Sequence, residues 1–311
     1  MRKNLMFLAL AAVGFASCNG GFKQGPGGLL YDVHSEKSSA KIKEGDFVAV
    51  YVVVKNDADS VIFNSYDGSQ PQYLIVEKPQ FKGDMMDGIK LVGEGDSVTI
   101  KTVADSAFKG GQPRPDKFKS SKYVVYDLKI VKVLPKGTLT DEVFQRGIST
   151  YMRGQAESVK KQEPAKIQKY ITDNKLGVSK TDSGLYYVIT KAGTGPLMAP
   201  GDTAVVNYAG RLMSTGKLFD TNIKSEAVAA KLERIEMRQF QPIRIPVGMP
   251  AGQEQVIPGW NQGFLLLNKG AKATLVIPSH LGYGERGYQQ IPGNAPLVFD
   301  VELVDIVHPK K

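Results

Sequence analysis

The second half of the chain carries an ordered series of aromatic and aliphatic residues with a few polar groups among them. The series comprises Tyr208, Phe219, Asp220, Val256, Ile257, Trp260, Tyr283 and Phe299. An apolar, largely aromatic lining with few polar groups is typical of a small-ligand pocket. Any one of these aromatics alone is better explained as core of a small β domain, but the ordered set favours a site.

Other kinds of chemistry have little support in the sequence. His34, His280 and His308 are far apart, and no HExxH or Gly-x-Ser-x-Gly element occurs, so neither a metalloprotease nor a serine hydrolase is indicated. The segment 282–287 has the glycine spacing of a dinucleotide fingerprint, but prolines and a glycine follow where that motif needs a helix. We expect no metal and no cofactor.

Several segments of the second half resemble the FKBP family of peptidyl-prolyl cis/trans isomerases. They are Asn207-Tyr208-Ala209-Gly210, Gly216-Lys217-Leu218-Phe219-Asp220, Val256-Ile257-Pro258-Gly259-Trp260, Tyr283-Gly284 and Leu297-Val298-Phe299-Asp300-Val301-Glu302-Leu303. The resemblance covers roughly 125 residues, from Ser183 to Val307, and so many motifs in one order are highly specific. It implies a prolyl isomerase that assists the folding of extracytoplasmic proteins.

The resemblance also assigns roles. The implied catalytic residues are Tyr208, Phe219, Asp220, Trp260, Tyr283 and Phe299. Trp260 would form the pocket floor, Tyr283 would bind a substrate carbonyl, and Asp220 would either orient the twisted amide or order Tyr208. The implied substrate-binding residues are Ile243, Val256, Ile257, Tyr288 and Ile291. Ile243 stands where the family usually has an aromatic residue, Tyr288 where histidine is common, and Ile291 is only approximately aligned.

Prolyl isomerisation explains why such a pocket needs no nucleophile. Amide resonance sets a barrier of about 18–20 kcal/mol to rotation of the bond, and rotation passes through a twisted, less polar amide. An apolar pocket that excludes water favours the twisted state over the planar, solvated one. Two other functions stay open, a holdase chaperone and a surface interaction module with a vestigial site.

An internal repeat indicates two copies of one domain. Gly28 and Gly184 begin matching segments 156 positions apart (184 − 28), and Gly95 matches Gly270 at an offset of 175 (270 − 95). The change in offset places a 19-residue insertion (175 − 156) in the second copy, around 223–239. Because solenoid repeats are much shorter, we expect two related domains.

The first copy lacks most of the implied site. Val52, Asn64, Met85 and Tyr126 stand where the second copy has Tyr208, Asp220, Trp260 and Phe299. A pocket without its floor and its carboxylate should isomerise poorly. We interpret residues 29–137 as a degenerate FKBP-like domain that binds client chains or a partner, or that has a structural role, and residues 178–311 as the isomerase domain.

Strand-like runs in both copies and a helical segment between them predict an α+β fold. We expect two FKBP-like domains, each an antiparallel β-sheet wrapped on a short helix, joined by a helical connector over 138–177. Phe144, Ile148 and Tyr151 recur at helical spacing, Pro164 should break or restart the helix, and Gly177 should cap its second piece. The apolar stripe predicts docking on the chain's own domains in preference to a homodimer interface.

The N-terminus predicts secretion and lipid anchoring. A short positive segment precedes an apolar run that is too short to span a bilayer, and the run ends in a sequence that resembles a bacterial lipobox at Cys18. We predict a lipoprotein signal peptide over 1–18, a lipidated Cys18, a flexible Gly-rich tether over 19–28, and a location in the envelope of a Gram-negative bacterium. Cys18 is the only cysteine, so an intramolecular disulfide is excluded.

The charge and composition of the chain limit the classes of partner that it is expected to bind. The net charge is +9, but the basic residues are scattered and form no block, so nucleic-acid binding is not favoured. The predicted partners are prolyl-containing unfolded or nascent secreted proteins, the membrane through Cys18, and, by the resemblance, macrolide FKBP ligands.

Overall fold

The computed structural model describes residues 21–68, 70–109, 114–232, 235–250, 252–253 and 255–309. The predicted signal peptide and Cys18 lie outside the described residues. Within the described ranges, no helix combines the length and the apolar character needed to cross a membrane.

A seven-stranded antiparallel sheet forms the first domain. Its strands are β1 (Lys23–Gln24), β2 (Leu30–Ser35), β3 (Phe47–Lys55), β4 (Val61–Asn64), β5 (Gln72–Ile75), β6 (Ser97–Val103) and β7 (Tyr123–Leu134). Their order is β1-β2-β6-β7-β3-β4, and β5 also pairs with β3. Two short helices, α1 (Met85–Ile89) and α2 (Ala104–Ala107), follow β5 and β6. The core joins Val48, Ile89, Ile100 and Ile130, which are all fully buried.

The N-terminal segment of this domain differs from the predicted tether. Lys23–Gln24 pairs with the start of β2, and a 3₁₀ turn covers Pro26–Gly28. Gly27 lies so close to Gly83 that a Cβ there would stand 2.1 Å from the Gly83 backbone nitrogen. Residues 21–28 are therefore structured, because their glycines allow close backbone approach to the domain.

One long helix, α3 (Asp141–Asp173), connects the two domains. The Thr140 side chain caps its N-terminus by accepting a hydrogen bond from the Val143 backbone N–H. The first half of α3 packs Phe144 and Ile148 against the first domain. The second half packs Ile167 and Ile171 against the second domain. The helical connector is thus confirmed, and the apolar stripe is divided between the two domains.

Two details of the connector prediction were wrong. Pro164 neither breaks nor restarts the helix, since α3 continues through it to Asp173. A proline inside a helix costs about 3 kcal/mol, and burial of Ile167 and Ile171 beyond it offsets that cost. Gly177 is not the cap either, because Lys175 adopts the left-handed conformation with φ 53° and ends the helix earlier.

The second domain repeats the architecture of the first. Its sheet consists of β8 (Ser179–Lys180), β9 (Tyr186–Lys191), β11 (Thr203–Leu212), β12 (Leu218–Thr221), β13 (Ile243–Pro246), β15 (Lys272–Ile277) and β16 (Leu297–Val307). A separate pair joins β10 (Thr194–Leu197) to β14 (Asn268–Lys269). The order β12-β11-β16-β15-β9-β8, with β13 on β11, is the first domain's order read from the other edge. The predicted fold class is therefore confirmed.

A short helix packs on each sheet at a glycine. In the second domain, α5 (Pro258–Gly263) ends at Gly263, where a Cβ would lie 2.8 Å from the Leu275 side chain. In the first domain, a Cβ on Gly88 would lie 2.6 Å from the Ile100 side chain. Because each glycine removes a clash, it lets its helix approach the sheet closely.

The insertion between β12 and β13 is only partly helical. Its helix, α4 (Lys224–Ala229), ends before Leu232 and Ile235. Lys231 has a φ of 51°, which ends the helical conformation, and the Leu232 backbone N–H donates a hydrogen bond to the Ala227 carbonyl. A 3₁₀ turn at Ile235–Met237 follows. The remaining 3₁₀ turns are Ser65–Gly68, Asp116–Phe118, Phe264–Leu266 and Ser279–Leu281.

Candidate active site

A cavity of about 460 Å³ opens in the second domain and gathers nearly all the predicted site residues. Its lining is Tyr208, Phe219, Asp220, Ile243, Gln255, Val256, Ile257, Trp260, Tyr283, Tyr288 and Phe299. Ile291 is the one predicted site residue that is not part of this lining; its side chain is buried in the same cluster as Trp260 and Phe299.

Neighbouring strands and one helix position the aromatic rings. Tyr208 follows the buried Val206 on the same face of β11, and Phe219 lies on the neighbouring β12. Gly210 pairs with Phe299 across the sheet, and a Cβ on Gly210 would lie 2.5 Å from the Phe299 ring and 2.8 Å from the Phe219 ring. A glycine at this position therefore makes room for both rings.

Trp260, on α5, forms the base of the aromatic set. Its ring centroid lies 5.0 Å from that of Tyr208 and 5.0 Å from that of Phe299, both in edge-to-face geometry. The side chain is nearly buried, and its indole N–H finds no hydrogen-bond acceptor among the described residues. A buried donor without a partner costs about 1–3 kcal/mol, which is unusual for a residue with only a packing role.

The carboxylate of Asp220 is bound through both oxygens. Oδ2 accepts a hydrogen bond of 2.6 Å from the Tyr208 hydroxyl, and Oδ1 accepts one of 2.9 Å from the Arg238 guanidinium. Asp220 therefore holds the Tyr208 ring in one orientation against Trp260. Of the two roles left open by the sequence, the ordering of Tyr208 is the one this geometry favours.

The hydroxyls of Tyr208 and Tyr283, two of the three tyrosines that line the cavity, remain protonated at neutral pH. Burial, then the hydrogen bond to Asp220 and its negative charge, raise the pKa of Tyr208 well above its ordinary value of 10.0. Burial and then the charge of Asp220 raise the pKa of Tyr283. Tyr283 also stacks on Tyr288, with ring centroids 5.3 Å apart. Protonated hydroxyls can donate hydrogen bonds, so Tyr283 can bind a carbonyl oxygen.

Sequence reasoning missed several residues around the cavity. Arg238 comes from the insertion, and Gln290 donates a hydrogen bond of 2.8 Å to the Phe219 carbonyl. The Asn222 amide links β11 to the segment before β13 by accepting from the Tyr208 backbone N–H and donating to the Gln241 carbonyl. A carboxylate in an apolar pocket is expected to pair with a cation. Asp220 was therefore the one residue in the sequence that could have suggested Arg238.

The corresponding residues of the first domain are arranged differently. Phe63, the counterpart of the 6%-exposed Phe219, is 45% exposed. Phe108, the counterpart of Tyr283, packs against Phe118 with ring centroids 5.3 Å apart. Neither aromatic therefore takes part in a pocket like that of the second domain.

The second domain is similar in sequence to proteins of one family. Residues 195–304 match the family model of the FKBP-type peptidyl-prolyl cis-trans isomerases. The chain is 34% identical over 180 residues to the FKBP-type peptidyl-prolyl cis-trans isomerase FkpA of Aeromonas hydrophila, covering 55% of this chain and 59% of that protein. It is 36% identical over 203 residues to a probable FkpA of Neisseria meningitidis, covering 62% and 65%.

One solved structure with 31% identity is the crystal structure of FkpA from Escherichia coli, with a TM-score of 0.39 over 55% of this chain and 74% of that one. The chain spans about three fifths of the length of the first curated relatives, 59% and 58%. The segment 195–304 belongs to the FKBP-type peptidyl-prolyl cis-trans isomerase family. Within the described residues, no cluster of three or more His, Cys, Asp or Glu side chains could hold a metal ion.

Proposed function

We propose that this protein is a peptidyl-prolyl cis/trans isomerase whose working site is the aromatic cavity of the second domain. The observation that carries this proposal is the pairing of Tyr208 with Asp220 beside the nearly buried Trp260. It gives an apolar floor, a fixed wall and a protonated hydroxyl within one cavity.

The chemistry follows from what this cavity excludes and what it binds. A prolyl ring on Trp260 leaves water, and the adjoining amide loses the solvation that favours its planar form. The Tyr283 hydroxyl and the Ile257 backbone N–H donate to substrate carbonyls on either side of the ring. Because the twisted amide is less polar than the planar one, an apolar site binds the transition state more tightly than the ground state.

We further propose that the enzyme works outside the cytoplasm on prolyl-containing unfolded or nascent secreted proteins. The leader-like segment 1–18 supports this location, and a lipidated Cys18 would hold the protein on a membrane of a Gram-negative envelope. Loss of lipid labelling in a Cys18→Ser variant would test the anchor. Macrolide FKBP ligands would compete for the cavity, and the first domain would bind clients or support the second.

The test of the activity is the cis-to-trans rate of a short prolyl peptide with the full chain. We expect acceleration by the wild type, a loss of about ten-fold or more in Trp260→Ala, and a smaller loss in Tyr208→Phe, which keeps the ring. Phe108→Ala is the control in the first domain and should retain full activity. Failure of the wild-type chain to accelerate the reaction would refute the proposal.

A further inference from the structure

Glu163 on α3 is a buried acidic side chain that the proposed chemistry does not use. It is 7% exposed, and its two oxygens accept hydrogen bonds of 2.5 Å from the Ser279 backbone N–H and 2.7 Å from the Ser279 hydroxyl. A glutamate is almost never buried unless it is paired, and here both oxygens are paired with one residue. Glu163 lies outside the segment 195–304 that matches the isomerase family, so this contact comes from the connector helix.

Ser279 holds the chain on both sides of Tyr283. Its carbonyl accepts hydrogen bonds of 3.0 Å from the Gly282 backbone N–H and 2.9 Å from the Gly284 backbone N–H. These two glycines are the immediate neighbours of Tyr283 in the chain. We call residues 279–284 the Tyr283 turn. A displacement of Ser279 therefore moves the backbone of Tyr283 on both sides.

The hydroxyl of Tyr283 is placed differently from that of Tyr208. Asp220 binds the Tyr208 hydroxyl directly, at 2.6 Å. Among the described residues, none forms a hydrogen bond with the Tyr283 hydroxyl. The Tyr283 ring stacks on Tyr288, which is itself 55% exposed. The position of the Tyr283 hydroxyl therefore depends mainly on the backbone of the Tyr283 turn.

Burial makes the contact between Glu163 and Ser279 the main link from α3 to the Tyr283 turn. Ser279 is 4% exposed, so without Glu163 its N–H and hydroxyl would be left unpaired, which costs more than a hydrogen bond exchanged with water. One turn earlier on the same face of α3, Lys160 lies 3.4 Å from Glu285. Both of those side chains are largely exposed, and exposed ion pairs contribute little.

We propose that Glu163 is a positioning residue of the isomerase site, which acts through Ser279 to hold Tyr283 where its hydroxyl meets a substrate carbonyl. This inference rests on the proposed isomerase function. Glu163 itself contacts no substrate, because it acts through the backbone of the Tyr283 turn. The connector helix is thereby part of the structure that makes the second domain active, in addition to joining the two domains.

The test uses full-length variants under conditions in which tryptophan fluorescence shows them folded. Glu163→Ala removes both hydrogen bonds to Ser279, whereas Glu163→Gln keeps the side-chain shape and an oxygen acceptor. Asp202→Ala is the matched control, because Asp202 is also a buried carboxylate of the second domain with one backbone partner, Ala199 at 2.9 Å, and one side-chain partner, His308 at 2.7 Å. If Glu163→Ala does not fold, Ser279→Ala takes its place, since it removes only the hydroxyl bond.

We expect Glu163→Ala to lower kcat/KM for a short prolyl peptide by about two- to twelve-fold, the range for one hydrogen bond between uncharged groups. Glu163→Gln should stay within about two-fold of the wild type, and Asp202→Ala should keep the wild-type rate. In the Tyr283→Phe background, which already lacks the hydroxyl, Glu163→Ala should cost less than about two-fold.

Hydrogen exchange of the Gly282 and Gly284 backbone amides, followed by NMR, measures the Tyr283 turn without reference to activity. Both amides donate to the Ser279 carbonyl, so Glu163→Ala should speed their exchange several-fold. Asp202→Ala should leave the exchange of these two amides at the wild-type rate.

An equal fold-loss from Glu163→Ala in the wild-type and Tyr283→Phe backgrounds would overturn the inference, since Glu163 would then not act through Tyr283. Equal losses in Glu163→Ala and Asp202→Ala would also overturn it, because general destabilisation would explain both. Either result leaves the isomerase function intact. An inactive wild type would refute that function, and the exchange of Gly282 and Gly284 would still decide whether Glu163 holds the Tyr283 turn.

Discussion

A buried carboxylate on the connector helix α3 forms hydrogen bonds with the loop beside the active site. Glu163 accepts a hydrogen bond of 2.5 Å from the Ser279 backbone N–H and one of 2.7 Å from the Ser279 hydroxyl. Ser279 begins the 3₁₀ turn before Tyr283, and its carbonyl accepts from the Gly284 backbone N–H at 2.9 Å. We therefore predict that α3 stabilises the second domain through this contact.

The magnitude follows from the two hydrogen bonds. Ser279→Ala removes one of them and should lower the free energy of unfolding of the second domain by about 1.5–3 kcal/mol, the range for a hydrogen bond to a charged group. Glu163→Gln keeps an oxygen acceptor but loses the charge, so we expect a loss of about 1–2 kcal/mol. Because the two residues share the contact, the double variant should lose less than the sum, with a coupling energy of about 1 kcal/mol.

Denaturant unfolding followed by tryptophan fluorescence can measure this. The chain has one tryptophan, Trp260, which lies in the second domain and reports on that domain alone. Glu157→Gln, at an exposed position of α3, is the matched control and should change stability by less than about 0.5 kcal/mol. Full additivity of Ser279→Ala and Glu163→Gln would refute a direct energetic contact between the helix and the loop.

Three further predictions concern pH and packing. Because the pKa values of Tyr208 and Tyr283 are raised, kcat/KM should stay level up to about pH 10. Above that pH the second domain should lose stability, since these two tyrosines keep protons in the folded state that the unfolded chain releases. A decline in kcat/KM with a midpoint well below pH 10 would contradict this. Gly263→Ala should destabilise the second domain by about 1–3 kcal/mol, whereas Gly88→Ala should leave the tryptophan transition unchanged, and equal shifts would show that the two domains unfold together. Hydrogen bonds from a backbone N–H and then from an imidazole lower the pKa of Asp202. The stability that Asp202 contributes is therefore present above its ordinary pKa of 3.8 and should be lost as the pH falls through its lower pKa in the folded state. Asp202→Asn should flatten this acid dependence in the same fluorescence assay.

The sequence by itself predicted an apolar pocket and every residue that lines the cavity except Gln255. Each aromatic residue of the cavity lies in a short motif, and these motifs follow one another along the chain in a characteristic order. The residue types alone indicate an apolar pocket. The repeat likewise predicted two copies of one fold, because matching segments recur in the same order and their offset changes at the insertion. The sequence also predicted that the first copy lacks most of the site, since Val52, Asn64, Met85 and Tyr126 stand where the second copy has Tyr208, Asp220, Trp260 and Phe299.

Only the tertiary structure decided which distant residues meet. Arg238 pairs with Asp220 because the insertion folds back over β12, and no local pattern encodes that return. The helix continues through Pro164 because packing of both halves on folded domains outweighs a local propensity. Ile291 packs in the same buried cluster as Trp260 and Phe299 without lining the cavity, and its place in the sequence does not reveal that difference. A local sequence pattern indicates which secondary structure a segment can form, whereas the contacts of a side chain depend on how distant segments pack together.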